Sequence, residues 1–426
     1  MENFNVLTTL FVGIDVSSQN NVVYAMDFHK HKLLSCTVAN NQQGAVCLGR
    51  RIVELMEGSE FQAVVFALES TSFYSLHIAN YLSSDPTMLA LHPSVYCLNP
   101  KQISNYRKSY VDLQKNDQLD AFLLADFARV GRIQTSPWRG SQFLALQRLT
   151  RHRLHLVQSM TREKAYMVSN VYLKFSELTV RKNGDHPFHS NYSASAEALL
   201  TEFYSLQDIV DTPVEDLTAF LVQAGKNRFS DPEKVAEILT KAARDSYRLD
   251  KQLYEPINTA IASSFNCIST FEREIKDVNK AIEKTLKGLQ KNELQCLLSI
   301  PGIGPVLASG ILAEIGSIQA FRSQEALAKY AGLTWSQNQS GSFEADDTHM
   351  TKSGNSYLRY YLVEAANSVR LHIPEYANFY HKKYHEVKTH QHKRALALTA
   401  RKLIRLLFGL LAKEQLYSAD RVEQLT

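Results

Sequence analysis

The sequence predicts an α/β domain at the N-terminal end, a helical middle, and a mostly α-helical C-terminal part. Three observations support this order. Up to about residue 137, short apolar runs bounded by turn residues alternate with segments of helical spacing. From Ser141 onwards, apolar residues recur every three or four positions, which is the period of an α-helix. A glycine-rich turn at Pro301–Pro305 then separates two further helical segments, and basic helical segments follow it.

The first domain, residues 1–137, begins with three short segments that we expect to pair as a meander of strands. They are Phe11–Val16, Val22–Asp27 and His31–Val38. The elements predicted after them are a helix at Gln43–Met56, a buried strand at Ala63–Leu68, a helix near Phe73–Leu82, and short strands at Met88–Leu91 and Val95–Leu98. A three-strand meander followed by strand–helix alternation is typical of a ribonuclease-H-like domain.

The middle, residues 138–290, is predicted to be a coiled-coil hairpin that carries a helical insertion. Along its second helix, apolar residues are spaced three and four apart with charged residues between them. They are Ile268, Phe271, Ile275, Val278 and Ile282. We expect this helix to pack antiparallel to one at about residues 141–167. The stretch at about residues 181–250 is interrupted by prolines and is interpreted as the insertion.

The last domain, residues 291–426, opens with SIPGIGPVLASGILAEIG, in which a glycine-rich turn lies between two helices. In a helix-hairpin-helix arrangement, backbone N–H groups at such a turn can meet a phosphate, and Gly302 and Gly304 are the candidates. A tight turn between packed helices is an equally good interpretation. A polar loop, Trp335–Ser353, and basic helices over Tyr357–Leu411 follow.

Composition limits the class of protein. Of the 426 residues, 45% are hydrophobic, as in a folded soluble protein, and the formal net charge is only +4. Five cysteines without a CxxC pair indicate buried thiols in a reducing compartment rather than disulfides or a zinc site. The N-terminus lacks the basic segment of a signal peptide, and no apolar run reaches the ~20 residues of a membrane span. We therefore expect a cytoplasmic protein.

Four acidic residues stand where a metal site would need them. Asp15 lies inside the first strand, in VGIDVS, where an unpaired charge is costly. Glu69 follows the buried strand Ala63–Leu68 directly. Asp117 and Asp120 are three positions apart at a helix start, so their carboxylates share one face. Oxygen ligands favour Mg²⁺ or Mn²⁺, and two such ions can bridge a scissile phosphate.

Two other interpretations of these residues stay open at this point. Asp117 and Asp120 can be acids that are simply favoured by the helix dipole in a first turn. A GIDV-type first strand also occurs in sugar kinases of the actin-like fold. However, no second glycine-rich phosphate loop follows a strand in this sequence.

The order of the motifs resembles one known family. VGIDVS, ALEST, KNDQLDA, PGIGPVLASGILAEIG, QNQSG and TKSGNSYLRYYLVEAA occur in this order in the DEDD-type transposases of insertion-sequence family one-ten, to which pilin-gene invertases are related. The resemblance covers roughly residues 11–132 and 294–366, and the middle resembles the family only in being helical. Each motif alone is unspecific, whereas their combined order is highly specific.

The resemblance implies a RuvC-like domain that binds metal and a C-terminal serine that forms a 5′-phosphoserine link to DNA. The implied metal-binding tetrad is Asp15, Glu69, Asp117 and Asp120. Ser340, in QNQSGS, matches the family's serine. Gln339 stands where the family often has serine, and Ser342 stands where it often has glycine. Ser342 and Ser336 are therefore lesser candidates for the nucleophile.

A local excess of positive charge lies at the C-terminal end. Residues 351–426 include 13 Lys or Arg and 6 Asp or Glu, a net charge of +7, which suits a phosphate backbone. Nucleic-acid contacts are predicted at Lys352, Arg359, Lys393, Arg394 and Arg401. A solvated helical face is the alternative interpretation of the same charges.

Together these inferences predict a transposase that cuts and rejoins double-stranded DNA. The resemblance further implies a structured guide RNA that pairs with donor and target DNA, a tetramer, and a location at the nucleoid of a bacterial cytosol. Three alternatives stand beside it: an invertase of the same chemistry, a RuvC-like junction endonuclease that activates water, and a non-enzymatic DNA- or RNA-binding scaffold. The intact tetrad argues against the scaffold.

Overall fold

The chain folds into two compact units. The computed structural model describes residues 5–70, 73–110, 116–133, 137–180, 186–287, 292–335, 339–340, 343–344 and 350–419. One unit comprises Met1–Arg148 together with Thr285–Thr426, and the other is Leu149–Lys284. The first unit therefore contains both ends of the chain. The predicted boundaries between the three domains, near residues 137 and 290, stay predictions.

A five-stranded mixed sheet forms the N-terminal part of the first unit. Its strands are β1 (Thr9–Val16), β2 (Asn20–Met26), β3 (Lys32–Ala39), β4 (Ala63–Glu69) and β5 (Pro93–Leu98). They lie in the order β3–β2–β1–β4–β5. The first three pair antiparallel, whereas β4 lies parallel to β1 and β5 lies parallel to β4. The predicted α/β domain, with its initial meander, is thus confirmed.

Among the described residues of this domain, the sheet is accompanied by the helices α1 (Gln42–Glu57), α2 (Tyr74–Ser84), α3 (Pro86–Leu89), α4 (Pro100–Arg107) and α5 (Asp117–Arg129). A 3₁₀ turn at Val6–Thr8 precedes β1. The prediction of a strand at Met88–Leu91 is wrong, because α3 occupies the first half of that segment. Asp85 caps α3 by accepting hydrogen bonds from the Thr87 and Met88 amides, and Pro86 fills the first turn. This local capping overrides the apolar run.

Two apolar cores lie on opposite faces of the sheet. Leu10, Val12 and Ile14 of β1 belong to the core that includes residues of α1 and α2. Phe11 belongs to the other core, which includes residues of α5. This alternation follows from the two-residue period of a strand. It assigns Asp15 to the face that α5 covers.

Two long helices, α6 (Ser141–Lys174) and α12 (Lys251–Lys287), pass through the second unit. Arg153 Nε donates to Asn279 Oδ1 at 2.7 Å, and Ser264 Oγ donates to Glu163 at 2.6 Å, so the two helices run antiparallel. Shorter helices lie between them in the chain: α7 (Ser176–Val180), α8 (Ala194–Glu202), α9 (Leu206–Asp211), α10 (Val214–Ala224) and α11 (Pro232–Asp245). Their apolar side chains share one core with both long helices.

The apolar stripe of α12 is only partly covered within the chain. Ile268 and Ile282 are buried, whereas Phe271, Ile275 and Val278 are half-buried. The spacing of the stripe predicts that it also forms a subunit contact. We therefore expect Ile275→Glu to lower the oligomeric mass measured by light scattering, because a charge buried at such a contact would cost several kcal/mol. Lys276→Glu, at an exposed neighbour, is the matched control and should keep the mass. An unchanged mass in folded Ile275→Glu protein would show that the stripe packs only internally.

The C-terminal part of the first unit is mostly helical. Its elements are α13 (Asn292–Leu298), α14 (Pro305–Ile315), a 3₁₀ turn (Ile318–Ala320), α15 (Gln324–Ala331), β6 (Gln339–Ser340), β7 (Phe343–Glu344), α16 (Ser356–His372), α17 (Pro374–His385) and α18 (Gln391–Lys413). Gly310 allows α14 to pack directly against the buried ring of Tyr361 on α16, since a Cβ there would collide with that ring.

In the part of the chain that the structure describes, no helix is both long enough and apolar enough to cross a membrane.

Candidate active site

Asp15 and Glu69 lie at the C-terminal ends of β1 and β4, two neighbouring parallel strands in the interior of the sheet. Ile14 and Leu68 are the last paired residues of β1 and β4, so the next residues along the two strands are Asp15 and Glu69. Residues opposite each other on paired strands share a face. Both carboxylates therefore emerge on the face that carries α5.

Close packing of α5 on β1 completes this corner of the domain. A Cβ at Gly13 would collide with the backbone of Ala121 and Ala125, so only glycine permits this approach of helix and strand. Gly13 lies two residues before Asp15 and on the same face of the strand. The glycine of VGIDVS therefore has a structural role: it lets the start of α5 lie close to the end of β1.

The first turn of α5 presents the other two predicted acids. Asn116 caps the helix, and its side chain accepts a hydrogen bond from the Leu119 amide at 2.8 Å. Asp117 and Asp120 follow within the first turn. Carboxylates at this position are also favoured by the helix dipole. The helix dipole and a metal site would therefore both favour acidic residues at these two positions.

The three carboxylates of Asp15, Glu69 and Asp117 interact electrostatically. The pKa of Asp15 is raised from 3.8 to about 6, first because burial disfavours its charged form and then because the negative charges of Glu69 and Asp117 repel it. A backbone hydrogen bond and the positive charge of Arg107 offset part of this rise. The structure thus brings these three predicted residues together.

Asp120 has a cationic partner within the chain. Its carboxylate forms an ion pair with Arg107 at the end of α4, and the two side chains are 17% and 24% exposed. The fourth predicted acid therefore lies in the same region, but a guanidinium neutralises its charge. Sequence reasoning did not single out Arg107.

These residues suit a hard divalent cation in their chemistry. Their donor atoms are all carboxylate oxygens, which Mg²⁺ and Mn²⁺ prefer, and a cation would relieve the repulsion at Asp15. Among the described residues, no three His, Cys, Asp or Glu side chains are already arranged as ligands around one point. Cation binding would therefore require the carboxylates to draw together and Asp120 to change its partner.

The raised pKa of Asp15 has a consequence for stability that does not depend on metal. A carboxyl whose pKa is higher in the folded chain destabilises the fold when it is ionised. This cost is complete above pH 6 and fades as the pH falls toward 3.8. In urea titrations with EDTA at about pH 8, we expect Asp15→Asn to raise the free energy of unfolding by about 1–2 kcal/mol, after allowance for solvent screening. The gain should disappear near pH 4; a gain that is independent of pH would contradict this account.

A buried carboxylate that sequence reasoning missed lies farther along α5. Asp126 accepts hydrogen bonds from Tyr106 Oη at 2.6 Å, from Tyr110 Oη, and from Arg129 Nε at 2.8 Å. Burial alone would raise the pKa of Asp126, but these hydrogen bonds outweigh it and hold the pKa below its usual value. The available signal was an aspartate inside the apolar helical segment LLADFA, which requires partners. Asp126 therefore joins α5 to α4 through the hydrogen bond from Tyr106.

Ser340 lies in a short antiparallel pair of strands between α15 and α16. It pairs with Phe343, and Gln339 pairs with Glu344. The predicted polar loop therefore contains a small hairpin. The lesser candidates, Ser336 and Ser342, lie outside the described residues.

The two glycines predicted to approach a phosphate differ in their surroundings. Gly302 has φ = +95°, and a Cβ there would press on Ser368 and His372 of α16, so its absence of a side chain serves packing. Gly304 has open space around the position of a Cβ and precedes α14, whose N-terminus has no side-chain cap. Of the two, Gly304 offers accessible backbone.

The predicted basic contacts also fall into two groups. Lys352 and Lys393 are exposed. The three arginines have partners within the chain. Arg359 donates to the carbonyls of Ala331 and Lys352 at 3.0 Å, Arg394 pairs with Glu386 at 3.1 Å, and Arg401 lies 3.9 Å from Glu325. Arg359 therefore helps to hold the end of α15, and the lysines have more freedom to meet a phosphate.

Comparison with known proteins matches two segments of the chain to family models of transposases. Residues 12–174 match a DEDD-type family described as "Transposase", and residues 294–381 match the "Transposase IS116/IS110/IS902 family". Together the two segments make up more than half of the chain. The chain belongs to the IS110/IS116 family of DEDD transposases. The first segment contains all four acids, and the second contains Ser340.

The names of individual relatives agree with this family assignment. The "Insertion element IS116 uncharacterized 44.8 kDa protein" of Streptomyces clavuligerus is 23% identical over 96% of both chains. The "Transposase for insertion sequence element IS1111A" of Coxiella burnetii is 29% identical over 29% of this chain and 31% of its own length. The match with the first relative covers almost the whole of this chain. It therefore includes the middle part, which neither family model covers completely.

Proposed function

We propose that this IS110/IS116 family transposase cuts and rejoins DNA through a covalent 5′-phosphoserine intermediate on Ser340. In this proposal Mg²⁺ or Mn²⁺ is bound by four residues, Asp15, Glu69, Asp117 and Asp120. The observation that carries the proposal is the placement of the half-buried Asp15 beside Glu69 and Asp117: burial first, and then repulsion by these two carboxylates, raise the pKa of Asp15 to about 6. Carboxylates held against their mutual repulsion are characteristic of functional sites.

The proposed reaction exchanges one phosphate ester for another. Ser340 Oγ attacks the phosphorus, the bond from phosphorus to the 3′ oxygen breaks, and the serine proton ends on the released 3′ hydroxyl. Since the two esters are of similar energy, the bond energy is kept and rejoining needs no ATP. A serine hydroxyl is a weak nucleophile and requires activation. Bound Mg²⁺ would supply Lewis-acid stabilisation of the charge that develops on the phosphoryl oxygens.

DNA binding in this proposal uses the C-terminal part of the chain. The net charge of +7 over residues 351–426 attracts a polyanion. Lys352 and Lys393 are exposed, and Gly304 leaves the start of α14 accessible. Gly341 follows Ser340 in the sequence, and a glycine beside the nucleophile permits close approach of the backbone to a phosphate.

The guide RNA and the tetramer enter the proposal through the family resemblance. A guide RNA that pairs with donor and target DNA would supply the sequence specificity. In a tetramer, the tetrad of one subunit would meet the serine of another. Sequencing the RNA that co-purifies with the protein tests the first point; RNA of random cellular origin would argue against a guide.

The proposed chemistry is tested with the purified protein, end-labelled duplex DNA carrying the insertion-sequence end, and Mg²⁺. We expect strand cleavage together with a protein–DNA adduct that survives denaturation and is digested by protease. Cleavage without an adduct would instead support a junction-type endonuclease that activates water. DNA binding without cleavage in Mg²⁺ or Mn²⁺ would support a scaffold with a degenerate site.

A further inference from the structure

Arg107 places a positive charge among the carboxylates of the candidate active site. Its guanidinium pairs with Asp120, and its charge also acts on Asp15. Both partners of the ion pair are largely shielded from solvent, so their attraction is screened less by water and salt than that of a pair on an open surface. Arg107 thus supplies part of the positive charge that the carboxylates require.

The backbone that carries Arg107 is anchored to the helix that carries Asp120. The preceding residue, Tyr106, donates a hydrogen bond to Asp126 at 2.6 Å, and Tyr110 donates to the same carboxylate. Asp126 is buried and lies on α5, as Asp120 does. Rotation of the Arg107 side chain is therefore sufficient to move its guanidinium away from Asp120 while α4 stays in place, provided that another cation compensates the charge of Asp120.

We propose that Arg107 is an exchangeable counter-ion, which neutralises Asp120 and leaves that carboxylate when a divalent cation binds to the acidic cluster. This inference rests on the proposed metal binding by the four acids. Mg²⁺ requires near-octahedral coordination at about 2.0–2.1 Å, so a guanidinium cannot keep the same carboxylate oxygens. The released guanidinium stays within a side-chain length of the cluster, and its planar fork matches a phosphate. Arg107 would then be available to the DNA backbone.

Chemical labelling measures the exchange directly. Phenylglyoxal modifies accessible guanidinium groups, and peptide mass spectrometry gives the modified fraction of each arginine. We expect Mg²⁺ to increase the labelling of Arg107 about fivefold over EDTA-treated protein, as for release from a shielded ion pair. Arg129 is the internal control, since it pairs at 2.7 Å with Asp126, which is not one of the four proposed ligands. Its labelling should not respond to Mg²⁺.

Metal affinity supplies an independent measurement. By electron paramagnetic resonance of free Mn²⁺, we expect Arg107→Ala to bind Mn²⁺ about fivefold more tightly than the unmodified chain, because the competing cation is absent. Arg107→Lys keeps the charge without the planar fork and should give an intermediate affinity. Lys108→Ala removes the neighbouring exposed charge and should leave the affinity unchanged. Thermal melting in EDTA establishes that each variant is folded.

Asp15→Asn separates the failure of this inference from the failure of the proposed metal site. If the unmodified chain binds Mn²⁺ and Asp15→Asn does not, but Arg107 labelling is insensitive to metal, the counter-ion exchange is overturned and the metal site stands. If neither chain binds Mn²⁺, both proposals are overturned. An equal gain in affinity for Arg107→Ala and Lys108→Ala would show a general effect of charge and would also overturn the exchange.

Discussion

Asp15→Asn is expected to abolish DNA strand cleavage while DNA binding stays within about twofold. Asp15 is half-buried and lies at the end of a central strand, next to Glu69 on β4 and close to Asp117 at the start of α5. Removing its charge would weaken metal binding, which is worth several kcal/mol of transition-state stabilisation, so cleavage should fall roughly a thousandfold. In the proposed function, DNA binding uses the basic C-terminal segment instead, so it should change little.

The measurement compares cleavage of labelled duplex DNA in Mg²⁺ with binding of the same duplex in a gel-shift assay. Asp27→Asn is the matched control, since it makes the same substitution away from the carboxylate cluster. Asp27 directly follows the C-terminal end of β2, whereas Val22, which pairs with Asp15, lies near the other end of that strand. Asp27 holds the turn through hydrogen bonds to His31 at 2.8 Å. Cleavage at the unmodified rate by Asp15→Asn would show that the metal assignment is wrong.

The same variant also separates loss of function from loss of fold. Asp15→Asn should be more stable than the unmodified chain in EDTA above pH 6, because the carboxyl is kept charged at a cost. A protein that is inactive and more stable cannot owe its inactivity to unfolding. Such an exchange of stability for activity is expected where like charges are held together for function.

Three of the four acids predicted from the sequence, Asp15, Glu69 and Asp117, lie near one another in the structure. Strand alternation assigns Asp15 to one face, the order of strands brings Glu69 beside it, and glycine in VGIDVS permits α5 to approach. The β1–β4 pairing and the contact of Gly13 with α5 belong to the tertiary fold, whereas strand alternation and the helix start after Asn116 are local signals carried by short motifs. Residues of that kind can be assigned from sequence because the backbone geometry of strands and helix starts is nearly fixed.

Other features depended on side-chain partners far apart in the sequence and could not be predicted. Arg107 and Asp120 are joined only when α4 packs beside α5, and no periodicity marks that contact. Gly302 was open to two interpretations, phosphate approach or packing, and its position against α16 is a tertiary fact. In contrast, the error at Met88–Leu91 was local, since the capping signal Asp85–Pro86 is visible in the sequence and outweighs the apolar residues.

Ser340→Ala is expected to eliminate the covalent protein–DNA adduct and DNA rejoining while metal binding is retained. The hydroxyl supplies the atom that bonds to phosphorus, so its removal allows no residual adduct at that position. The four acids belong to the N-terminal domain and to a different matched segment of the chain, so Mn²⁺ affinity should be unaffected. Ser342→Ala is the control, because Ser342 is two residues away in the same polar segment and should affect adduct formation only mildly.

The attachment site decides the assignment more sharply than loss of activity does. Trapped adduct is digested with nuclease and protease, and mass spectrometry locates the residual nucleotide on a peptide. A nucleotide on Ser340 supports the proposed mechanism; one on Ser342, Ser336 or a tyrosine would overturn the choice of nucleophile while leaving the family intact. If Ser340→Ala still cuts DNA at the unmodified rate and neither chain forms an adduct, water is the nucleophile. The carboxylate cluster alone would then account for the chemistry, as in a junction endonuclease.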